Sequence, residues 1–586
     1  MDRPARTGMA DLAIVLGFGL LMVASLLVVS AVSGLFAASS MDADSAMRLV
    51  EIQDYLAGQN WFDVSQARLG PDGGTAMHWS RLVDLPVLAI TSLLDVFLPS
   101  DAALHWATVV WPPISVLLLV WALVSGARFL GGRETLVFTC IIAATILFRH
   151  QNFLSGSIDH HNLQLGFLAL SLAFSIDPQR RPTSLAVAGA ALASSVAIGA
   201  EVYPFVAVIC AFHALDWALA GRAAQRGAVA FGVSLAAMTA VFFAASVAPA
   251  NYGAVYCDAL SLVTVSAALL GGVGLALAAV SLSGRSLPWR LTGLGMIGLG
   301  CGLLLALQAP QCLANPLDGL PSIVRTLWLE KVDEARPLFA ARPSAWQEIP
   351  FMIGISLVAA TVSLFQIELG INRRAHVLFL LLLVLDIVLT LQQVRFYSFG
   401  HIFAILPLGA WVAGLFTGRP DGGERGVGYL LALAVSVPLV WGAPGLFLKS
   451  ASGSSPAVAD VACASPDMLS VLNAQPEGLV LAVADAAPDI LRYTGQRALH
   501  GHYHRNAAGI EMALRIFISP PDEAAALMRA DGVAYVLACP SQGEFQMLAK
   551  AHPDGLAARL VAGDALDFLT PVAGKAGGEM LYVVTR

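Results

Sequence analysis

Asp159 and His161 stand two residues apart in "SGSIDHHNLQ", Ser155 to Gln164, a polar connection between two stretches apolar enough to cross a membrane. A carboxylate and an imidazole form an oxygen and nitrogen ligand pair suited to a divalent cation such as Mn2+ or Mg2+. Alone, Asp-x-His is a weak signal, and a solvated turn explains polar residues at helix ends equally well. Three other places hold groups able to act with it. Asp42 and Asp44 precede Leu49, Ile52 and Leu56 in "MDADSAMRLVEIQDYLAGQ", whose spacing predicts a helix lying on the membrane surface. Both carboxylates could instead serve only as caps of that helix. Glu330, Asp333 and Glu334 alternate with Lys331 and Arg336 in "WLEKVDEARPLF", which read blandly is a charged surface helix. Arg395, in "QQVRFYSFGH", ends an apolar stretch, where a planar guanidinium suits a phosphate. The alternative is an interfacial side chain snorkelling to water beside Tyr397.

These residues are positioned by a chain whose main solvent is lipid: 586 residues, 57% hydrophobic and 12% charged, with mean hydropathy +0.73. A net charge of −7 without a basic tract argues against nucleic acid as a partner. At roughly 20 apolar residues per crossing, spans are expected near 11–37, 103–125, 135–149, 163–176, 184–200, 204–220, 228–249, 259–281, 291–308, 351–368, 376–392, 399–417 and 427–448. That makes about thirteen transmembrane helices. Arg3 and Arg6, Arg128 and Arg133, Arg180 and Arg181, Arg222 and Arg226, Arg285 and Arg290, Arg373 and Arg374, and Arg419 and Arg425 fall in every second connection. The positive-inside rule then puts the N-terminus in the cytoplasm, the C-terminal segment outside, and the chain in the cell (inner) membrane. The first apolar segment is too long and lacks the small-residue cleavage site of a signal peptide, so it reads as a true anchor. The external face carries loops 38–102 and 309–350, the Asp159 turn, and the segment 451–586; residues 1–450 form the transmembrane region. Long loops in a compact protein usually carry function, so the chemistry is expected outside.

Segment 451–586 alternates apolar strands ("GLVLAVA", "VAYVLAC", "MLYVVT") with helical stretches such as "PDEAAALMRADG", predicting a small extracytoplasmic α/β domain. Within it, "HGHYHRN" would place His500, His502 and His504 on one face of an extended strand, as a second metal site or acceptor contact. The competing reading is a polar loop. Cys140, Cys210 and Cys301 fall in spans and read as packing residues. Cys257, Cys312, Cys463 and Cys539 lie toward the outside, where one or two disulfides are permitted. Asp386 within a span, and Glu201 with Tyr203 at an outer end, are functional candidates because charge in a membrane is costly; a structural hydrogen-bonding role for Asp386 is the alternative.

Taken in order, these motifs resemble those of the catalytic subunit of oligosaccharyltransferases, membrane glycosyltransferases of the GT-C fold that take a glycan from a polyprenyl carrier on the external side. Asp44 followed by "RLVEIQDYLAG" resembles the Asp that opens the family's first external helix. Asp159, His160 and His161 match its second acidic motif between spans three and four. "KVDEARP" fits its fifth-loop motif, with Glu334 as the family's Glu, and Arg395 stands where the family's Arg meets the carrier phosphate. The likeness covers about 450 residues and rests on the order of the motifs. The family's Trp-Trp-Asp-Tyr-Gly, which grips the Ser or Thr of a protein acceptor, is reduced to "LAVADAAP", with only Asp485 in register.

The resemblance implies a cation, Mn2+ or Mg2+, held by Asp44, Asp159 and His161, with Arg395 on the donor phosphate. Glu334, with Asp42 or Asp44, would orient or deprotonate the acceptor. His160, His502, His504 and Arg505 stand as accessory or acceptor-contacting candidates. The implied partners are a polyprenyl-linked sugar donor, membrane lipids, and an acceptor that is a lipid, glycan or polymer. A protein oligosaccharyltransferase with an altered acceptor pocket is the first alternative. A transporter is the second; it would show an internal repeat and mid-membrane polar groups, whereas no repeat is visible and the polar residues gather at one face.

Overall fold

A computed structural model of the chain describes residues 9–37, 40–148, 150–314, 316–339, 345–418, 427–451, 463–575 and 578–585. Within these residues the chain forms two compact units. The first runs over Met1–Ser40, Ser80–Pro316 and Glu334–Ala451; the second over Met41–Trp79, Leu317–Asp333 and Ser452–Arg586.

Every one of the expected apolar stretches in the first unit is helical, from Met9–Val32 to Tyr397–Thr417 and the pair Gly428–Val435 and Pro438–Ala451. Nine of the described helices are long and apolar enough to cross a membrane singly, and up to ten if the last pair, bent by 66°, counts as one span. Nine to ten of the thirteen expected stretches thus meet that measure of length and composition. Arg133–Leu147 and His161–Ser175 have 15 residues each and Pro182–Ile198 has 17, short of the roughly 20 that span the hydrocarbon. The chain is a multi-pass membrane protein. Arg180 and Arg374 converge on Asp216 at 2.8 and 2.9 Å, so two of the arginine-bearing connections meet at one end of this unit. Arg3, Arg6, Arg419 and Arg425 lie outside the described residues.

Without water to drive apolar association, membrane helices pack where small residues let backbones approach. Gly232 and Gly272 do this for helices Gln225–Ser246 and Leu262–Leu282: a Cβ on either would strike the other's carbonyl oxygen. Gly272→Val is expected to force this pair apart at a cost of about 1–3 kcal/mol. The unfolding midpoint of the purified protein in detergent should fall by several degrees, and an unchanged midpoint would show that the pair can separate freely.

One proline and one serine anchor the site's loop. Pro112 within Ser100–Leu130 has no N–H for the carbonyl of Thr108. Gly156 donates its N–H to that oxygen instead, at 3.1 Å, and Ser155 donates to Ser30 Oγ at 3.0 Å.

The second unit is α/β. Strands β1 (Ser65–Gln66) and β2 (Thr75–Ala76) pair antiparallel, and β3 (Leu479–Leu481), β4 (Arg497–Ala498), β5 (Val533–Ala538), β6 (Leu569–Gly574) and β7 (Met580–Val584) form a sheet in the order β4-β3-β5-β7-β6. β3 runs parallel to β4 and β5, and β7 antiparallel to β5 and β6. The helix Ala43–Leu56 contributes Met47 and Val50 to this unit's core. It is thus a helix packed into the core of this unit. Disulfides join Cys257 to Cys312 and Cys463 to Cys539, while Cys140, Cys210 and Cys301 are free.

Candidate functional site

In the first unit, Gly156 adopts φ +89°, a left-handed turn suited to glycine, and Ile158 is fully buried. These hold Asp159 immediately ahead of helix His161–Ser175. Asp159 Oδ1 lies 2.5 Å from His160 Nδ1, and its Oδ2 lies 2.6 Å from His161 Nδ1. The two rings stack at 4.3 Å. An ionised carboxylate only accepts hydrogen bonds, so both imidazoles carry a proton on Nδ1 and turn Nε2 away. His160 Nε2 meets Glu201 Oε1 at 3.5 Å, and Gln164 Nε2 donates to Glu201 Oε2 at 2.9 Å.

Burial alone would raise the Asp159 carboxyl, but His160 and His161, by charge and hydrogen bonding, hold it well below the usual carboxylate range. Burial would likewise lower His160, yet Asp159 and then Glu201 push it up to about 10. One ligand atom each from Asp159, His160 and His161 lies within 4.8 Å of the others. Mixed nitrogen and oxygen donors at that spacing fit a divalent metal. His161, with one nitrogen engaged and its side chain about a quarter exposed, is the better placed of the two histidines to ligate.

Arg395 sits in the turn Val394–Phe396 just before helix Tyr397–Thr417. Its Nε donates to Gln393 at 3.0 Å, and a terminal nitrogen lies 3.9 Å from Glu334 Oε1. Glu334 lies in the short turn Asp333–Ala335, not in a surface helix. The charge of Arg395 also acts on Glu201, so Glu201 feels both the histidine cluster and the guanidinium. Sequence reasoning missed His150. Both its ring nitrogens are buried without a hydrogen-bond partner among the described residues. Burial, then His401 and His161, lower its pKa to about 3. A lone His after an apolar run gives no signal of this.

In the second unit, Asp42 caps helix Ala43–Leu56, accepting from Ser45 N at 2.8 Å and Ser45 Oγ at 3.0 Å. The capping alternative is therefore realised for Asp42. Asp44, half-buried in the first turn, acts electrostatically on His502. Trp328 Nε1 donates to His502 Nδ1 at 2.9 Å, and His502 Nε2 lies 2.8 Å from Asp485 Oδ1. An indole N–H is only a donor, so in this pairing the His502 proton sits on Nε2 and is given to Asp485. Gln542 donates to the other Asp485 oxygen at 3.1 Å. The hydrogen bond from His502 is the main reason the Asp485 carboxyl lies below its ordinary range.

The histidines of "HGHYHRN" do not share a strand face. The strand ends at Ala498, and a 3-10 turn covers His504–Asn506. His500 is buried 3.7 Å from Glu544, and His504 lies against His78 with the rings tilted and their centroids 4.6 Å apart. Arg505 donates to the carbonyl of Met77 at 3.1 Å. Tyr503 donates to the carbonyl of Ala43 at 3.2 Å, tying this loop to the helix start that bears Asp44. Trp328 and His78 were not singled out from the sequence, because each finds its partner far along the chain.

The architecture has solved counterparts. The Archaeoglobus fulgidus oligosaccharyltransferase in the apo form aligns with 98% of this chain and 74% of its own, at 14% identity and a TM-score of 0.67. The chain has the GT-C fold. The archaeal oligosaccharyltransferase AglB from the same organism, in complex with an inhibitory peptide and a dolichol-phosphate, covers 96% of this chain and 74% of its own, at 13% identity and a TM-score of 0.63. An Archaeoglobus fulgidus oligosaccharyltransferase in complex with Zn and sulfate covers 96% and 73%, at 14% identity and a TM-score of 0.55. No protein-family model and no curated protein matches the chain. On this GT-C fold, Asp159, His161, Glu334 and Arg395 belong to the first unit and Asp42, Asp44, His502, His504 and Arg505 to the second.

Proposed function

We propose that the chain is an integral membrane glycosyltransferase that transfers a sugar or oligosaccharide from a polyprenyl-phosphate or polyprenyl-diphosphate carrier to an acceptor on the external face of the inner membrane. The observation that carries this reading is the Asp159–His160–His161 cluster, electrostatically linked through Glu201 to Arg395, within a GT-C fold. The complexes of the similar proteins with dolichol-phosphate and with Zn and sulfate support a lipid phosphate and a divalent metal as ligands.

Asp159 and His161 would hold Mn2+ or Mg2+, with Asp44 as a further ligand on the strength of the motif order. When bound, such an ion supplies positive charge to stabilise the leaving phosphate. Asp159 fixes the tautomer of His161. Arg395 receives the phosphate oxygens, and Glu334 orients the acceptor or takes its proton. The acceptor is a lipid, glycan or polymer. Both tryptophans of the peptide-gripping motif are missing, and Asp485, which stands in register with its Asp, is engaged by His502 and Gln542.

The test is transfer of label from a polyprenyl-phosphoryl sugar by purified protein in membrane vesicles of the host. Label should move into lipid or polymer with Mn2+ present and fall to background after chelation. Label recovered in glycopeptides would instead favour a protein oligosaccharyltransferase, and label that never leaves the carrier would sink the proposal.

A further inference from the structure

Two adjacent histidines of the same type occupy different chemical positions in the cluster. His160 faces a carboxylate oxygen from each ring nitrogen: Asp159 Oδ1 at 2.5 Å from Nδ1 and Glu201 Oε1 at 3.5 Å from Nε2. It has no lone pair to offer outward. Among the described residues His161 uses only Nδ1, on Asp159 Oδ2 at 2.6 Å. The four side chains therefore form one file, Glu201–His160–Asp159–His161, with a free ligating atom at one end and an anchored carboxylate at the other.

Glu201 is anchored by Gln164, one turn along the helix from His160, at 2.9 Å. Gly199 makes room for the anchor. Its backbone is extended, which any residue can adopt. A Cβ there would come within 2.5 Å of Gln164 Nε2 and 2.7 Å of Glu201 Oε2.

We propose that Glu201 is a positioning residue: acting through His160 and Asp159, it fixes the ring orientation and tautomer of His161, and His160 is not a ligand. This rests on the reading of His161 Nε2 as a metal ligand. Outer carboxylates that orient a ligating imidazole commonly change metal affinity by about 10- to 100-fold when removed.

The experiment uses the full-length protein in detergent with two readouts. The first is Mn2+ alone, titrated by electron paramagnetic resonance. The second needs no metal: diethyl pyrocarbonate labelling, which acylates accessible unprotonated imidazole nitrogens, mapped by mass spectrometry. In the wild type, His161 should be labelled and His160 spared. Glu201→Leu should expose His160 to labelling and weaken Mn2+ binding by about 3- to 10-fold, less than the roughly 10- to 100-fold lost when the group bonded directly to a ligating imidazole is removed.

Glu201→Gln should recover most of both readouts, because its carbonyl can accept from His160 while its amide N–H meets Gln164 Oε1, which has no hydrogen-bond partner among the described residues. Gly199→Ala, whose Cβ crowds both Gln164 Nε2 and Glu201 Oε2 while leaving the Glu201 carboxylate in the chain, should reproduce the Leu effect in weaker form and serves if Glu201→Leu does not fold. Labelling of His160 in the wild type, or Leu and Ala variants that match the wild type in both readouts, would overturn the proposal. The expected labelling pattern in a protein that binds no Mn2+ would uphold the positioning by Glu201 and sink the metal reading instead.

Discussion

Asp159→Ala is expected to abolish sugar transfer, to below about one thousandth of the wild-type rate, a barrier increase of roughly 4 kcal/mol. The size follows from how much the carboxylate does at once. It accepts an Nδ1–H hydrogen bond from each of two imidazoles, so its removal frees His161 to rotate and to change tautomer, and leaves His160 facing Glu201 alone among the described acidic residues. Both effects remove charge stabilisation organised before the reaction, usually the largest single contribution to catalysis. Asp159→Asn separates the two functions. An amide has one acceptor oxygen, so it satisfies one imidazole and turns an N–H toward the other. Transfer by the Asn variant should remain impaired by more than about 100-fold, roughly 2.7 kcal/mol, while solubility and elution match the wild type. Asp44→Ala should be equally inactive if Asp44 is a ligand. Full activity in both alanine variants, measured as initial rates at saturating Mn2+, would refute the metal-site reading.

Much of this site is visible in the sequence because its parts are local. Asp159 reaches His160 and His161 across one and two residues, so type and spacing alone bring the donors together. The rest depends on distance along the chain. Glu201 lies about forty residues beyond His160 and meets it only because helices His161–Ser175 and Pro182–Ile198 return it to the same end of the unit. The different roles of His160 and His161 depend on that one long-range contact, and nothing in "DHH" separates them. Trp328 and His502 meet across 174 residues for the same reason.

Local pattern also misleads where two environments demand the same periodicity. Leu49, Ile52 and Leu56 suit a helix on a membrane and a helix in a protein core alike, and nothing in the sequence hints at the core that Met47 and Val50 join. In "HGHYHRN" the period of two presupposes a strand. The strand stops at Ala498, before the first of these histidines, and each histidine finds its own partner. Hydropathy likewise locates all the apolar stretches but does not fix helix length. His161–Ser175 is shortened at its start by the very polar turn that carries the site.

Arg395→Ala is expected to lower kcat/KM for the donor by about 100-fold, chiefly through KM, because a charge-assisted contact to phosphate contributes roughly 1.5–3 kcal/mol. The guanidinium is held ready without being consumed. Its Nε is fixed by Gln393 at 3.0 Å, while its terminal nitrogen lies a loose 3.9 Å from Glu334, whose side chain is about half exposed. On the proposed function, an arriving phosphate would displace Glu334 and release it toward the acceptor, so that donor binding and acceptor activation would share one movement. Arg395→Lys should recover only part of the loss, since an ammonium is a point charge and cannot form two parallel hydrogen bonds. Glu334→Gln should behave in the opposite way, leaving donor KM unchanged or lower while reducing kcat. Rates across a donor concentration series separate the two. A wild-type donor KM in Arg395→Ala would remove Arg395 from the phosphate site, and an unchanged kcat in Glu334→Gln would break the coupling between the two residues.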